Sequence, residues 1–258
     1  MKSTHLAIAA LLLPIALTAQ QPLETETARL PHRGAYLVAL TYEAQMSPDG
    51  TETALPFAIE YGVSDRLALL IEPVFYTRIR PKAAGTRTAT GAGDLEATVQ
   101  YLFRAEGGKA PALALAAEVK FPTANDPLIG TRRADLTPYL IASKRFGRYD
   151  VHGNIGYSFV GQPPGVVVQN TANFALGVED HVTTRFDLLA EALSTTAAAA
   201  GEGTGESSLT SPEIAGSETV GMVGVRYRAQ RRFWLSFGVT YDNTRAVLFR
   251  PGLTFELP

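Results

Sequence analysis

The chain of 258 residues contains no cysteine, so no disulfide framework can make it rigid. It also lacks a charge excess, because its formal net charge is −2, and this excludes nucleic-acid binding through a large basic patch. Zinc–thiolate sites are excluded with the cysteines, and the scattered residues His32, His152 and His181 do not have the spacing of metal ligands. We therefore predict no metal site and no cofactor.

Long apolar runs are absent apart from one, Leu6–Ala19, since charged residues interrupt every later stretch. This run follows Lys2 and has the length of a signal-peptide core, which is too short for a membrane-spanning helix. Leu17 and Ala19 fit the −3 and −1 positions of a cleavage site after Ala19, so residues 1–19 are predicted to be a signal peptide. A short membrane anchor is the alternative. If the mature chain lies in a membrane, it must do so as a closed barrel.

Alternation of apolar and polar side chains is what the chain has in abundance. In GAGDLEATVQYLF, residues 91–103, the positions Leu95, Ala97, Val99, Tyr101 and Phe103 alternate with mostly polar ones. Successive side chains of a strand point to opposite faces, so this segment predicts a strand with one apolar face. The pattern leaves open whether the apolar face contacts a protein core or lipid.

Twelve segments show this alternation over lengths that suit tilted strands crossing a bilayer. They are 34–44, 53–63, 65–78, 93–104, 111–122, 134–146, 149–160, 169–179, 183–195, 217–228, 232–242 and 246–257. An even number is typical of bacterial single-chain barrels. We predict an all-β protein, a single transmembrane antiparallel up-and-down β-barrel of about 12 strands over residues 34–258, with residues 20–33 as an N-terminal periplasmic segment.

The predicted connections fall into two groups. Those after even-numbered strands are short, and those after the first, third, fifth, seventh and ninth strands are longer, whereas the last hairpin near Asn243 is short. The ninth connection, 196–216, is rich in Gly, Ser and Thr and is predicted to be a surface loop. Short turns at one end and long loops at the other are typical of outer-membrane barrels. A soluble β-sandwich remains the alternative, because it could show the same periodicity.

Charged side chains on the polar face are candidates for lining a lumen. They are Glu60, Glu72, Glu96, Glu118, Lys120, Arg145, Arg226, Arg228 and Arg250. The glutamates fall on four successive predicted strands, and the last three arginines fall on strands ten and twelve, which predicts one acidic and one basic wall. A structural network of salt bridges inside a nearly closed barrel is the competing interpretation.

Catalysis finds little support in the sequence. His152, Asn154 and Ser158 share one strand face, but their spacing along a single strand gives poor nucleophile–base geometry. The glycines in Gly91-Ala92-Gly93 precede a strand, whereas a phosphate-binding loop would precede a helix. We therefore predict that the protein is not an enzyme.

Residues 90–180 resemble a family of outer-membrane β-barrel proteins named for the meta-cleavage pathway of phenol degradation. Gly91-Ala-Gly-Asp-Leu95 followed by Gln100-Tyr-Leu102 resembles its G-x-G-D-L … K-Y segment, and Lys120-Phe-Pro-Thr-Ala124 resembles its K-x-P-T-G segment. Ala124 departs from the usual glycine, and the chain ends in Pro258 where a terminal aromatic is common. The resemblance implies a transport-like role, and the family name points to hydrophobic or aromatic solutes.

The sequence thus predicts an outer-membrane channel for passive passage of an unidentified small solute. Its expected partners are outer-membrane lipids and the barrel-assembly machinery, with no nucleic acid. An occluded structural or ligand-binding barrel and a soluble periplasmic β-protein are the alternatives.

Overall fold

The computed structural model describes residues 24–163, 167–198 and 217–258, and it is all-β. The predicted signal peptide 1–19 and most of the predicted loop 196–216 lie outside these residues. The strands are β1 Tyr36–Thr41, β2 Glu43–Met46, β3 Gly50–Ser64, β4 Leu67–Pro81, β5 Ala89–Gly91, β6 Leu95–Arg104, β7 Ala112–Phe121, β8 Asp135–Phe146, β9 Tyr149–Ser158, β10 Thr171–His181, β11 Phe186–Thr195, β12 Glu218–Gln230, β13 Phe233–Asp242 and β14 Val247–Leu257. No helix of the described chain is long and apolar enough to cross a membrane.

These strands form a closed antiparallel barrel of twelve strands, because two pairs of segments each act as one barrel strand. Both β1 and β2 pair with β3 and β14, and they are interrupted only at Tyr42. Likewise β5 and β6 both pair with β4, around a break at Gly93. Pairing of β1 with β14, from Tyr36↔Leu257 to Thr41↔Gly252, closes the ring. The predicted fold class and strand number are confirmed.

The two ends of the barrel differ as the sequence predicts, with one exception. We call the end with connections 65–66, 105–111, 147–148, 182–185 and 231–232 the turn end, and the opposite end the loop end. The first loop-end connection was expected to be long, and this is wrong, since only residues 47–49 join β2 to β3. Ser47 explains the tight turn, because its backbone N–H donates to Gly50 O and its hydroxyl accepts from the Gly50 N–H.

The segments that carry the family resemblance meet at the loop end. Asp94 accepts a hydrogen bond from the Ala124 N–H at 2.9 Å, and the Thr123 hydroxyl donates to Gly93 O at 3.2 Å. A Cβ at Gly130 would lie 2.7 Å from the Asp94 carboxylate, so glycine permits this close approach. These contacts hold the long connection between β7 and β8 against the break between β5 and β6.

The outer face of the barrel is apolar and the inner face is polar. Ile155 points outward and is 57% exposed, whereas the adjacent inward residue Asn154 is 6% exposed. Leu115, Phe174 and Val223 are exposed in the same way on other strands. A protein that faces water places such residues inside, so the barrel presents a surface suited to lipid.

A charge on this outer face tests the bilayer orientation. We expect Ile155→Arg to destabilise the barrel by about 2–4 kcal/mol, since Ile155 lies near the middle of β9 and an arginine there would lose its hydration to lipid. Reversible unfolding of the protein refolded into vesicles measures the effect, with Ile155→Val as the conservative control. Unchanged stability of Ile155→Arg would contradict the membrane orientation.

An exposed ion pair fixes the loop between β7 and β8 from outside. Arg87 donates two hydrogen bonds to Asp126, at 2.6 and 2.7 Å, and this contact lowers the pKa of Asp126 to about 2. Asp126 also accepts from the Leu128 N–H at 2.9 Å. Because the folded-state pKa is lowered, the contribution of Asp126 is present at neutral pH and is lost as the pH falls through about 2.

Removal of this ion pair should loosen the loop. We expect Arg87→Gln to speed trypsin cleavage after Arg132 and Arg133 at neutral pH, because the loop loses its bidentate contact. Quantified limited proteolysis of the refolded barrel is the measurement, and Arg231→Gln at the turn end is the control. Cleavage at the wild-type rate would show that the Asp94 contacts alone hold the loop.

Candidate functional site: the barrel lumen

Residues 24–34, which we call the inserted segment, run through the interior of the barrel. Thr25, Ala28 and Pro31 are buried, and the segment then turns at Gly34 to enter β1. The described part of the predicted N-terminal segment 20–33 thus lies among the inward side chains of the barrel, and its periplasmic assignment stays a prediction. The physical reason for this position is that the inward side chains of several strands satisfy the backbone hydrogen-bonding groups of this segment.

These hydrogen bonds come from four different strands. Glu191 of β11 accepts from the backbone N–H and the hydroxyl of Thr25, at 2.9 and 2.7 Å. Asn154 of β9 accepts from the Glu26 N–H at 2.7 Å and donates to Glu26 O at 2.8 Å. Gln100 of β6 donates to Thr27 O at 2.6 Å, and Ser143 of β8 accepts from the Ala28 N–H at 2.8 Å. The segment therefore links both sides of the lumen.

Small side chains make room for the inserted segment. Ala28 packs against the inward alanines Ala112, Ala114 and Ala116 of β7 together with Ile141. At the exit, a Cβ at Gly62 would lie 2.2 Å from the backbone oxygen of His32. Only a glycine permits this close approach. A hydrogen bond of 2.7 Å from the Gly34 N–H to Gly62 O holds the two chain segments together.

Paired charges fill the turn end of the lumen. Asp150 is 2% exposed and accepts from Arg29 at 2.6 Å, from His181 at 2.8 Å and from Arg145. Arg226 continues the network to Asp187 at 2.9 Å and to Glu179 at 2.6 Å, and His181 also contacts Asp187 at 2.7 Å. We call this group the turn-end network.

Glu106, in the connection between β6 and β7, links the inserted segment to the barrel at the turn end. It contacts Arg29 at 3.1 Å and Lys144 at 2.8 Å, and it accepts from the Arg145 N–H at 3.1 Å. Burial alone would raise the pKa of Glu106, but these donors together lower it below its ordinary value. Arg29 is thus held by two carboxylates, since it also binds Asp150.

The four glutamates predicted for an acidic wall lie side by side around the lumen. Glu72 on β4 is directly opposite Glu96 on β6, and Glu96 is directly opposite Lys120 on β7. Lys120 is itself paired with Asp135 at 2.5 Å. Like charges placed opposite each other in a sheet oppose pairing, so this arrangement is costly for stability and invites a functional explanation.

A cavity of about 430 Å³ occupies the loop end of the lumen, and Glu24 and Glu26 of the inserted segment form part of its wall. Carboxylates dominate the charged groups in its wall, and a single guanidinium accompanies them. These groups are Glu24, Glu26, Glu43, Glu118, Glu218, Asp242 and Arg250. Arg250 donates to Glu43 at 2.8 Å and also contacts Glu24 of the inserted segment. The cavity thus has an acidic lining.

The arginines of the predicted basic wall mainly form ion pairs with carboxylates of the barrel and the inserted segment. Arg226 of this wall belongs to the turn-end network, as does the separate lumen candidate Arg145, and Arg250 is paired with two glutamates. Arg228 lies over the ring of Trp234, with its Cζ atom 5.7 Å from the ring centroid. Of the four predicted glutamates, Glu118 lines the cavity, whereas Glu60, Glu72 and Glu96 are not among its lining residues. The arginines are dispersed among separate partners.

Glu24, Glu26 and Arg29 of the inserted segment were not among the predicted site residues. TETARLPHR, residues 25–33, has no strand periodicity and gave no signal of its own. An indirect signal exists in β7, whose inward positions Ala112, Ala114 and Ala116 are all small and so leave space that another element must fill.

The possible catalytic groups of β9 have separate structural partners. His152 contacts the Ser143 hydroxyl at 2.8 Å, Asn154 binds the inserted segment, and the Ser158 hydroxyl contacts Thr137 at 2.8 Å. Ser143 is 1% exposed and its oxygen already accepts the Ala28 N–H. No substrate can reach that hydroxyl while the inserted segment is in place.

One group of side chains within the described residues has a spacing compatible with a metal. Ligand atoms of Asp150, Glu179 and His181 lie within 4.8 Å of one another. Arg29, Arg145 and Arg226 already provide positive charge to this group, so the cluster is explained by ion pairing.

Comparison with solved structures defines the class of the fold. The NanC porin superimposes with a TM-score of 0.59 and 11% sequence identity, over 85% of this chain and 100% of that chain. The KdgM porin gives 0.53 and 10%, over 84% and 98%. The translocator domain of the autotransporter NalP from Neisseria meningitidis gives 0.51 and 10%, over 88% and 89%. The chain therefore has the outer-membrane β-barrel fold.

Sequence comparisons go no further, since no protein-family profile and no curated protein matches the chain. The resemblance of residues 90–180 to the phenol meta-pathway family stays a prediction.

The contribution of Arg29 to holding the inserted segment in place can be measured by the reactivity of an introduced cysteine, because the chain has no cysteine of its own. In an Ala28→Cys background, we expect Arg29→Gln to increase the rate of maleimide labelling about tenfold or more. The reason is that each charge-assisted hydrogen bond contributes about 1.5–3 kcal/mol to holding the segment closed.

Arg33→Gln is the matched control, since Arg33 is an exposed arginine of the same segment. Equal labelling rates in the Arg29 and Arg33 variants would contradict a latch at Arg29.

Proposed function

We propose that the protein is an outer-membrane channel for passive passage of small polar solutes, with a preference for cationic or neutral species over anions. The observation that carries this proposal is the cavity of about 430 Å³ at the loop end, whose wall contains six carboxylates and one guanidinium. The loop end would face the cell exterior and the turn end the periplasm. A lumen lined with one sign of charge raises the local concentration of the opposite ion.

The porin-like fold supports a channel role, and the acidic lining of the cavity bears on which solutes would pass. The KdgM porin was also solved in complex with disordered oligogalacturonate, an acidic sugar chain. Glu24, Glu26 and Glu118 would repel such a ligand here. The polar lining also favours polar solutes over the hydrophobic or aromatic ones that the phenol-pathway name suggests.

The inserted segment forms the constriction of the proposed pathway. It lies between the cavity and the turn-end network, and Arg250 ties it to the cavity wall through Glu24. The wild-type channel should therefore conduct weakly and more strongly once the segment is released. These same contacts favour the second candidate, an occluded barrel whose cavity binds a solute without passing it.

Ion current in planar bilayers separates the two candidates. We expect the refolded mature chain to show small steady currents with cation preference by reversal potential. Glu118→Gln should reduce that preference, because it removes a carboxylate from the cavity wall. Asp65→Asn is the matched control, since Asp65 is exposed in a connection at the turn end.

Release of the inserted segment provides the decisive comparison. Arg29→Gln combined with Arg250→Gln removes a contact to this segment at each end of the lumen and should increase the single-channel conductance. A folded, heat-modifiable barrel that passes no current in either form would overturn the channel proposal and support the occluded barrel. Anion preference would overturn the proposed selectivity.

A further inference from the structure

We propose that the outer surface of β3 to β5, just beyond the apolar band at the loop end, binds the phosphate groups of anionic membrane lipids through Arg78 and Arg80. This inference rests on insertion of the barrel in a bilayer and does not depend on whether the lumen conducts. Loss of channel activity would therefore leave it intact.

Both arginines point away from the lumen. Thr77 is buried on the inner face, and Ile79 pairs with the buried Ala89, so alternation places Arg78 and Arg80 on the outer face. Two positions on the same strand face lie roughly 7 Å apart. This spacing allows both guanidiniums to contact one lipid that has two phosphates, or two neighbouring headgroups.

The side chains beside these arginines are hydroxyls. Thr51 is directly opposite Arg80, and Thr53 and Thr90 flank Arg78 on its two sides. None of these register positions has a carboxylate, and the described contacts give neither guanidinium an ion pair. Guanidinium and hydroxyl groups together donate the hydrogen bonds that phosphate oxygens accept.

The position along the barrel selects a lipid over a soluble anion. Phe75 and Tyr76 precede the arginines on β4 and are 58% and 40% exposed, which marks the border of the apolar band. Arg78 and Arg80 follow immediately on the same outer surface, at the height where headgroups of the adjacent leaflet lie. Basic residues next to a bilayer attract anionic lipids. An acidic protein would have to approach the side wall through the lipid.

Native mass spectrometry of the detergent-solubilised, refolded mature chain tests this site, with cardiolipin as a probe with two phosphates and phosphatidylcholine as the zwitterionic reference. We expect wild-type protein to retain cardiolipin preferentially and Arg78→Gln/Arg80→Gln to reduce the bound fraction roughly tenfold. Arg78→Lys/Arg80→Lys should restore part of the binding, because the charges remain.

Two controls make the outcome specific. Arg231→Gln/Arg232→Gln removes two exposed charges at the turn end, and Arg87→Gln removes one at the loop end that already pairs with Asp126. Both should retain cardiolipin. Undiminished binding in the Arg78 and Arg80 double variant would overturn the proposal, as would equal losses in the turn-end variant. Displacement of cardiolipin by inorganic phosphate would also overturn it, because the site would then recognise the free ion. If the double variant does not refold, Arg80→Gln alone serves the same comparison.

Discussion

Every backbone N–H and C=O group within a bilayer needs a hydrogen-bond partner from the protein, and this requirement determines the rest of the structure. A sheet with free edges cannot lie in lipid, so β1 must meet β14 and close the ring. Closure forces the two faces of each strand into different environments, with lipid outside and a lumen inside. The apolar face turns outward as a result, and most polar and charged side chains within the apolar band are directed into one shared interior.

A ring of twelve strands encloses more space than its inward side chains fill, particularly where β7 supplies the alanines Ala112, Ala114 and Ala116. The inserted segment occupies part of this space, and its own backbone then needs partners. Glu191, Asn154 and Gln100 provide them, so polar residues that could have lined an open pore are used to hold a peptide. The constriction is therefore a consequence of barrel size combined with small inward residues.

Local periodicity was sufficient to predict the barrel, because each strand contains its own alternation and each connection its own turn residues. The strands around Leu95, Leu113 and Phe233 were placed within a few residues of their observed bounds. The inserted segment was not predictable in this way. Its position depends on contacts such as Thr25 with Glu191, which are 166 residues apart in the chain and leave no periodic pattern.

Charge type alone also could not separate structural from functional residues within the lumen, since both ends contain inward acidic and basic side chains. The partners separate them. Near the turn end, Asp150 and Arg226 each pair with several opposite charges. Removal of either residue would leave a buried charge without its partner. Near the loop end, Glu118 borders open space and lies on the strand next to the facing pair Glu72 and Glu96. A fold gains nothing from carboxylates gathered around a cavity, so the asymmetry between the two ends of the lumen is the feature that the proposed cation pathway explains.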